Sequence, residues 1–400
     1  MYRLVPYISE RLMLETDFQN EASNSQQMAA LVAGEPRLRN RVYIPKVYPE
    51  LSSKRVMTAE WIEGVRLWDK DGITRPWKGG WRRGSPGCGG TPLDDAPPPR
   101  AAVAAAAAAA TRTPTDDPNQ ERLKPERTAW KGPQGDGGLG LSLKAVMTTM
   151  IDLFSAQMFL WGLVHCDPHP GNIFIRRQPS GRPELVLIDH GLYISMAPAF
   201  RHEYALFWKS LLAFDNATIR EIVGGWGVNN ADIFASATLL RPYEGGDRST
   251  MRGISADLDG LTESERAYAM QQRMRSGIRQ VLGDENKWPR ELIFIGRNLR
   301  IVQGNNQFLG SPVNRIKITG LWASRALAES GDLGVAERLR NWLKHVRFRV
   351  VLLGSDAVWW WARVRQVLGL GGGMEDEIEE RMRKVAKGFG VELQHGVFEG

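Results

Sequence analysis

Apolar residues recur in two rhythms along the chain, and the places where the rhythm changes mark its organisation. From Ile8 to about Leu31 the positions Ile8, Leu12, Leu14, Phe18, Met28 and Leu31 fall at loosely helical spacing with polar residues between them, which predicts one long amphipathic helix. Gly34 and Pro36 end it. Val42 to Val47 and Arg55 to Ile62 are runs of β-forming residues joined by the turn-rich stretch Tyr48 to Lys54, so they predict a hairpin. Further on, Leu143, Val146, Met147, Met150, Leu153, Phe154, Met158, Phe159 and Trp161 predict a buried helix that stops at Gly162. Two short apolar runs, Ile173 to Ile175 and Leu185 to Ile188, flank the turn residues Gln178 to Pro183 and predict a second hairpin.

Beyond that hairpin the period is helical. Helices are expected over Phe200 to Leu212 and over Asn216 to Val223, the second with Asp215 or Asn216 as N-cap. A capping box at Thr262 and Glu265 opens a helix to about Leu282, and Arg290 to Val302 and Glu375 to Lys387 supply two more. Between about Asp71 and Gly140 neither rhythm persists. The runs WKGGWRRGSPGCGG and PPPR and the alanines from Ala104 to Ala110 bury little apolar surface, so a disordered insert, or a translated intron, is expected there. The chain thus divides into residues 1–70, 71–140, 141–320 and 321–400.

Composition narrows the class. With 400 residues, 42% of them apolar, the chain is long enough for one large or two ordinary domains with a real core. Its two cysteines, Cys88 and Cys166, are far apart, which argues against a disulfide framework and for a thiol-tolerant compartment. A net charge of +7 permits anionic partners such as nucleotide phosphate or acidic lipid and does not call for nucleic acid. No uninterrupted apolar run reaches the roughly 18 residues of a membrane span, and the first residues lack signal-peptide or transit-peptide character. Arg338 to Arg365 mixes seven Arg or Lys with Trp342, Trp359, Trp360 and Trp361 and one acid, Asp356. That pattern fits a segment lying on an anionic membrane surface, and equally a solvated basic face with a Trp-rich core side.

The chemistry concentrates between His165 and Tyr193. Asp167 and Asn172 stand five apart on a loop that Pro168, Pro170 and Gly171 keep out of helix, and the second hairpin carries Asn172 at one end and Asp189 at the other. Two ligands distant in sequence can therefore meet in space. Asp, Asn and Asp around one point suit Mg²⁺, which prefers carboxylate and amide oxygens and leaves room for phosphate. The spacing is that of protein kinases, with His165-Cys166-Asp167 in the place of HRD and Asp189-His190-Gly191 in the place of DFG. His190 is expected to pack where the DFG aromatic would. A rival set, His165, Asp167 and His169, would suit zinc or iron.

HCDPHPGN followed by LVLIDHGL resembles the UbiB family, the aarF-domain (ADCK) atypical kinases, and the DHGL form looks like its mitochondrial lipid-homeostasis members. ETDFQNEA resembles the family's ExD signature. The resemblance implies an α+β, protein-kinase-like two-lobe fold with an incomplete small lobe and a mainly helical large lobe. It makes Asp167 the catalytic-loop acid, Asn172 and Asp189 the Mg²⁺ ligands, and Glu60-Trp61-Ile62 the hinge whose main chain meets ATP. Glu15 and Asp17 become the ExD pair, and Glu21 the αC-like residue that would hold a nucleotide-binding lysine. From the residues alone, a plain structural hairpin and a solvated acidic helix face remain open at these two places.

Family members carry a KxGQ helix, an Ala-rich nucleotide loop and a strand lysine ahead of the ExD helix. Here the lysines before Asp71 are Lys46, Lys54 and Lys70, all after that helix. An N-terminally truncated chain with weak nucleotide binding is therefore expected. The resemblance further implies a mitochondrial setting, with membrane lipid or ubiquinone-pathway proteins as partners. Two functions follow: an atypical kinase or ATPase linked to ubiquinone biosynthesis or distribution and lipid homeostasis, or an inactive pseudokinase scaffold that binds lipid or protein.

Overall fold

A computed structural model gives the fold for residues 16–89, 129–131, 135–228, 230–240 and 287–329, with isolated positions outside them, among these 91, 243 and several between 342 and 368. The helices expected over 262–282 and 375–387 lie outside the described residues.

The first helix, α1, is Phe18–Gly34. It does not run unbroken from residue 8 as the periodicity suggests. Asp17 is extended at φ −105° and ψ 101°, and its carboxylate accepts from the Gln19 amide at 3.0 Å. An aspartate that satisfies the orphan amides of a new helix competes with continuation of the old one.

Strand β1, Val42–Tyr43, is short because Pro45 and Pro49 remove donors from the run that follows. The predicted first hairpin survives as single bridges, Val47 with Ala59 and Ser53 with Val56. After it come β2, Val65–Arg66, and α2, Lys70–Thr74. The buried helix α3, Leu143–Ala156, continues into a π-helical turn, Gln157–Trp161, and stops where Gly162 turns left-handed at φ +67°. A side chain at Gly162 would be strained in that conformation and would meet the Met196 carbonyl at 3.2 Å. Leu143–Trp161 is long and apolar enough to cross a membrane, but 67% of that window is buried. It is the central core helix of this fold.

Strand β3, Leu163–His165, follows, then β4, Ile173–Arg177, β5, Pro183–Leu187, and β6, Tyr193–Ser195. The second hairpin is present as expected, β4 pairing antiparallel with β5 from Ile173 opposite Leu187 to Arg177 opposite Pro183. β1 joins the outer side of β5 in parallel and β2 the outer side of β4, giving the order β1-β5-β4-β2. A separate ladder pairs β3 with β6. The helical part comprises α4, Pro198–Ala213, α5, Asn216–Gly225, α6, Ala231–Leu239, α7, Glu291–Phe308, and α8, Arg315–Glu329. Asp215 caps α5 as expected, accepting from the Thr218 amide at 3.2 Å. One apolar core runs from Met28 and Val32 through α3 to Trp322, so the first 70 residues and the helical part share it.

The region expected to be an unpacked insert is packed at both ends. Ile73, Cys88, Trp130 and Leu139 are buried. Trp77 stacks on Trp130 at 6.3 Å and 11°, and Lys78 pairs with Asp136. Ser85 pairs with Arg177, the last residue of β4, its amide donating to the Arg177 carbonyl at 2.7 Å. Cys88 Sγ lies 3.2 Å from Glu184 Oε2 in the buried ion pair with Arg176. Composition hid this docking because four isolated side chains carry it.

Candidate active site

The loop from Asp167 to Asn172 leaves β3 and enters β4, and Asp189 follows β5. Because Ile173 faces Leu187 across the hairpin, Asn172 and Asp189 emerge side by side. Asn172 Nδ2 donates to Asp189 Oδ2 at 2.8 Å, and Asp189 Oδ1 accepts from the Gly191 amide at 3.0 Å. Ile188 N donates to the Asn172 carbonyl at 3.1 Å, which ties the two ends in the main chain as well. Asp167, at the other end of the loop, faces Arg297 of α7, with Nη2 3.2 Å from Oδ2.

Beneath the loop lies a stack of three buried rings. His165 and Tyr193 are cross-strand partners in the β3–β6 ladder, and their rings lie 5.0 Å apart at 15°. His190 stacks on Tyr193 at 5.8 Å and 7°. Its Nε2 lies 3.1 Å from the Leu187 carbonyl and its Nδ1 2.9 Å from the Tyr193 hydroxyl, which assigns the proton to Nε2. Burial pushes His190 down to about 4, and it pushes His165 down to about 3 with help from neighbouring His190. Both rings are therefore neutral at pH 7. His190 packs as the sequence suggests.

This arrangement removes support from the transition-metal rival. His165 is buried in the stack, whereas His169 is exposed, its Nδ1 accepting from the Gly171 amide at 3.1 Å. Among the described residues, no group of three or more His, Cys, Asp or Glu could hold a metal ion.

The residues near the chain start divide. Glu15 lies outside the described residues. Asp17 is the N-cap of α1, and its Oδ2 is 3.7 Å from Lys54 Nζ. Glu21 is buried, and its Oε1 accepts from the His190 amide at 3.2 Å, which joins α1 directly to the DHG segment. Glu60 Oε2 accepts from the Tyr43 hydroxyl at 2.5 Å and the Lys46 amide at 3.1 Å. Trp61 and Ile62 lie in no strand ladder.

Comparison with known proteins now adds the decisive observation. The profile described as the ABC1 atypical kinase-like domain matches residues 1–77 and 137–223. The chain carries an ABC1 atypical kinase-like domain. The break in that match, 78–136, coincides with the segment whose base is closed by Trp77 on Trp130 and Lys78 on Asp136. An ABC1 family protein of Purpureocillium lilacinum is 43% identical over 94% of this chain and 54% of its own length. Another, from Schizosaccharomyces pombe, is 31% identical over 80% of this chain and 46% of its own. An AarF domain-containing protein kinase 1 of Xenopus laevis is 26% identical over 77% and 45%. The chain spans about half the length of these curated relatives.

Several residues that hold this loop escaped the sequence pattern. Asn298 Nδ2 donates to the His165 carbonyl at 2.6 Å, and Asn305 Nδ2 to the Pro168 carbonyl at 3.0 Å. Both are buried on α7, seven residues apart and so on one face. That repeat of a buried amide within an apolar helix was the available signal. Gln157 is buried in the π-helical turn, where its Oε1 accepts from the His165 amide at 3.0 Å. Arg297 left no mark in the sequence beyond a basic residue in a helical run.

Proposed function

We propose that this chain is part of an Mg²⁺- and ATP-binding atypical kinase or ATPase, with Asp167 as the catalytic-loop acid and Asn172 and Asp189 as the metal ligands. The observation that carries the reading is the 2.8 Å contact between Asn172 and Asp189, two oxygen-bearing groups 17 residues apart. The donor set fits Mg²⁺, being carboxylate and amide oxygens, and Asn172 donates through Nδ2, so its Oδ1 is the atom available to a cation. When bound, the ion would neutralise charge on the phosphate oxygens. Asp167 would accept the proton of an acceptor hydroxyl or water, held in place by Arg297. The main chain at Glu60, Trp61 and Ile62 would meet the adenine edge.

The second reading is a pseudokinase scaffold that binds lipid or protein without turnover. It is favoured by Lys46 and Lys54, which are engaged elsewhere: Lys46 lies over the Tyr48 ring at 5.0 Å and Lys54 pairs with Asp17 at 3.7 Å. Thermal unfolding with and without Mg²⁺ and ATP separates the readings. A stabilisation that needs both ligands and is lost in Asp189→Asn is expected; the same shift in the variant would remove the metal role from Asp189. No shift in the parent chain would favour the scaffold.

The family resemblance extends the proposal to ubiquinone biosynthesis or distribution and lipid homeostasis in mitochondria. Contact with membrane lipid is supported by exposed apolar side chains at Trp342, Leu343, Val346 and Val350 and at Trp361, Val364 and Leu368, with basic Arg349 exposed beside the first group. Sedimentation with anionic vesicles should fall in Trp342→Ala/Trp361→Ala. Equal sedimentation would remove lipid from the partners of this surface.

A further inference from the structure

The face of α1 turned toward the site carries, beside Glu21, two side chains for which the nucleotide reading has no use, Asn24 and Met28. Glu21, Asn24 and Met28 stand three and four residues apart, so they form one stripe of the helix. Glu21 Oε1 accepts from the His190 amide at 3.2 Å, and Asn24 Nδ2 donates to the His190 carbonyl at 3.0 Å. One turn of helix thus holds both main-chain groups of the residue that follows Asp189. Lower on the stripe, Met28 Sδ accepts from Gln157 Nε2 at 3.7 Å, and Gln157 Oε1 accepts from the His165 amide at 3.0 Å. The same face therefore reaches the strand that ends two residues before Asp167.

The His190 amide belongs to the planar peptide that also contains the Asp189 carbonyl, and the His190 carbonyl belongs to the next plane, shared with Gly191. Fixing both planes fixes the direction in which Asp189 leaves the main chain. The following glycine offers no steric restraint of its own, so the restraint must come from a partner. We propose that Asn24 and Gln157 are positioning residues: through them α1 locks the two arms of the site together and sets whether Asp189 faces Asn172. Neither touches substrate or metal. The proposal rests on the Mg²⁺ and ATP reading for its functional consequence, though the lock itself can be measured without either ligand.

The test uses Asn24→Asp, which keeps the shape and removes the donor, and Asn24→Ala as a second variant should the first fail to fold. Two readouts are taken from the full chain. The first is hydrogen exchange of the peptide spanning 187–193 in the absence of ligand. Faster exchange in either variant, with exchange in α4 unchanged, is expected. The second is the Mg²⁺ concentration that gives half of the ATP-dependent thermal stabilisation, which should rise by about tenfold when a buried carbonyl loses its donor. Gln157→Leu should in turn speed exchange across 163–167.

Unchanged exchange at 187–193 in the Asn24 variants would overturn the lock. Faster exchange with an unchanged Mg²⁺ requirement would overturn its role in positioning Asp189. Should the parent chain show no response to Mg²⁺ and ATP, the nucleotide reading fails, and exchange alone decides whether α1 holds the DHG segment.

Discussion

The two sides of the candidate site are built differently. The loop side, carrying Asp167, Asn172 and Asp189, sits on a buried stack of His165, Tyr193 and His190 and is held by Asn298, Asn305 and Gln157 through the carbonyls of His165 and Pro168 and the amide of His165. The proposed hinge side, Glu60 to Ile62, stands on short bridges, and Trp61 is 60% exposed. On the proposed reading, a site organised this way holds the groups proposed as metal ligands before any ligand arrives and leaves the proposed base-binding edge adaptable. Changes beneath the loop should therefore cost stability and binding together, whereas changes at the hinge should touch binding alone.

Acid should expose the difference most strongly. His165 and His190 are held at about 3 and about 4, chiefly by burial, against an ordinary histidine value near 6.5. Below about pH 6.5 the unfolded chain takes up protons that the folded chain refuses, so stability is full above that pH and falls as pH drops toward the folded values. Each ring should cost about 2 kcal/mol between pH 6.5 and pH 5. Glu35, whose carboxylate Arg37 holds below its usual range, titrates lower than this window, whereas His345, also lowered by burial, adds to the same loss. Denaturant unfolding at both pH values in the parent and in His190→Phe isolates one ring. The variant should lose about half as much of the two-ring effect. An identical loss in both proteins would mean that His190 is not a neutral buried ring.

The next largest effect is expected at α7. Asn298→Ala leaves the buried His165 carbonyl without its side-chain donor and opens a small cavity, together about 2 to 3 kcal/mol. Urea unfolding measures it. A cost under about 0.5 kcal/mol, the range of an ordinary surface change, would show that α7 does not support the loop.

These two cases also show what the sequence could and could not convey. The second hairpin was legible because turn residues stood between two apolar runs, and the approach of Asn172 to Asp189 because they stand at that hairpin's two ends. The α3 helix was legible because nearly every turn of it is apolar. By contrast, the parallel pairing of Val42 with Leu185 involves two-residue contacts across 143 positions, and nothing local encodes it. The break at Asp17 depends on a capping bond outcompeting periodicity. Asn298 and Asn305 read as polar interruptions in a helix until the carbonyls they meet are known, and Cys88 lay in a stretch whose composition argued against any packing.

The hinge should yield the smallest change. Trp61 is mostly exposed, and its indole donates to Glu63 Oε1 at 3.3 Å. Trp61→Ala should alter stability by less than about 0.5 kcal/mol. If the hinge meets adenine through its main chain, the ATP concentration needed for half of the Mg²⁺-dependent stabilisation should also change by less than about threefold in this variant. Ile62→Pro, which removes an N–H and fixes φ, should weaken ATP far more. The reverse order, a large loss in Trp61→Ala beside a small one in Ile62→Pro, would mean that the base is gripped by the indole ring. The adaptable side of the site would then owe its grip to a side chain that solvent already reaches, and base specificity would be as easily changed as that one residue.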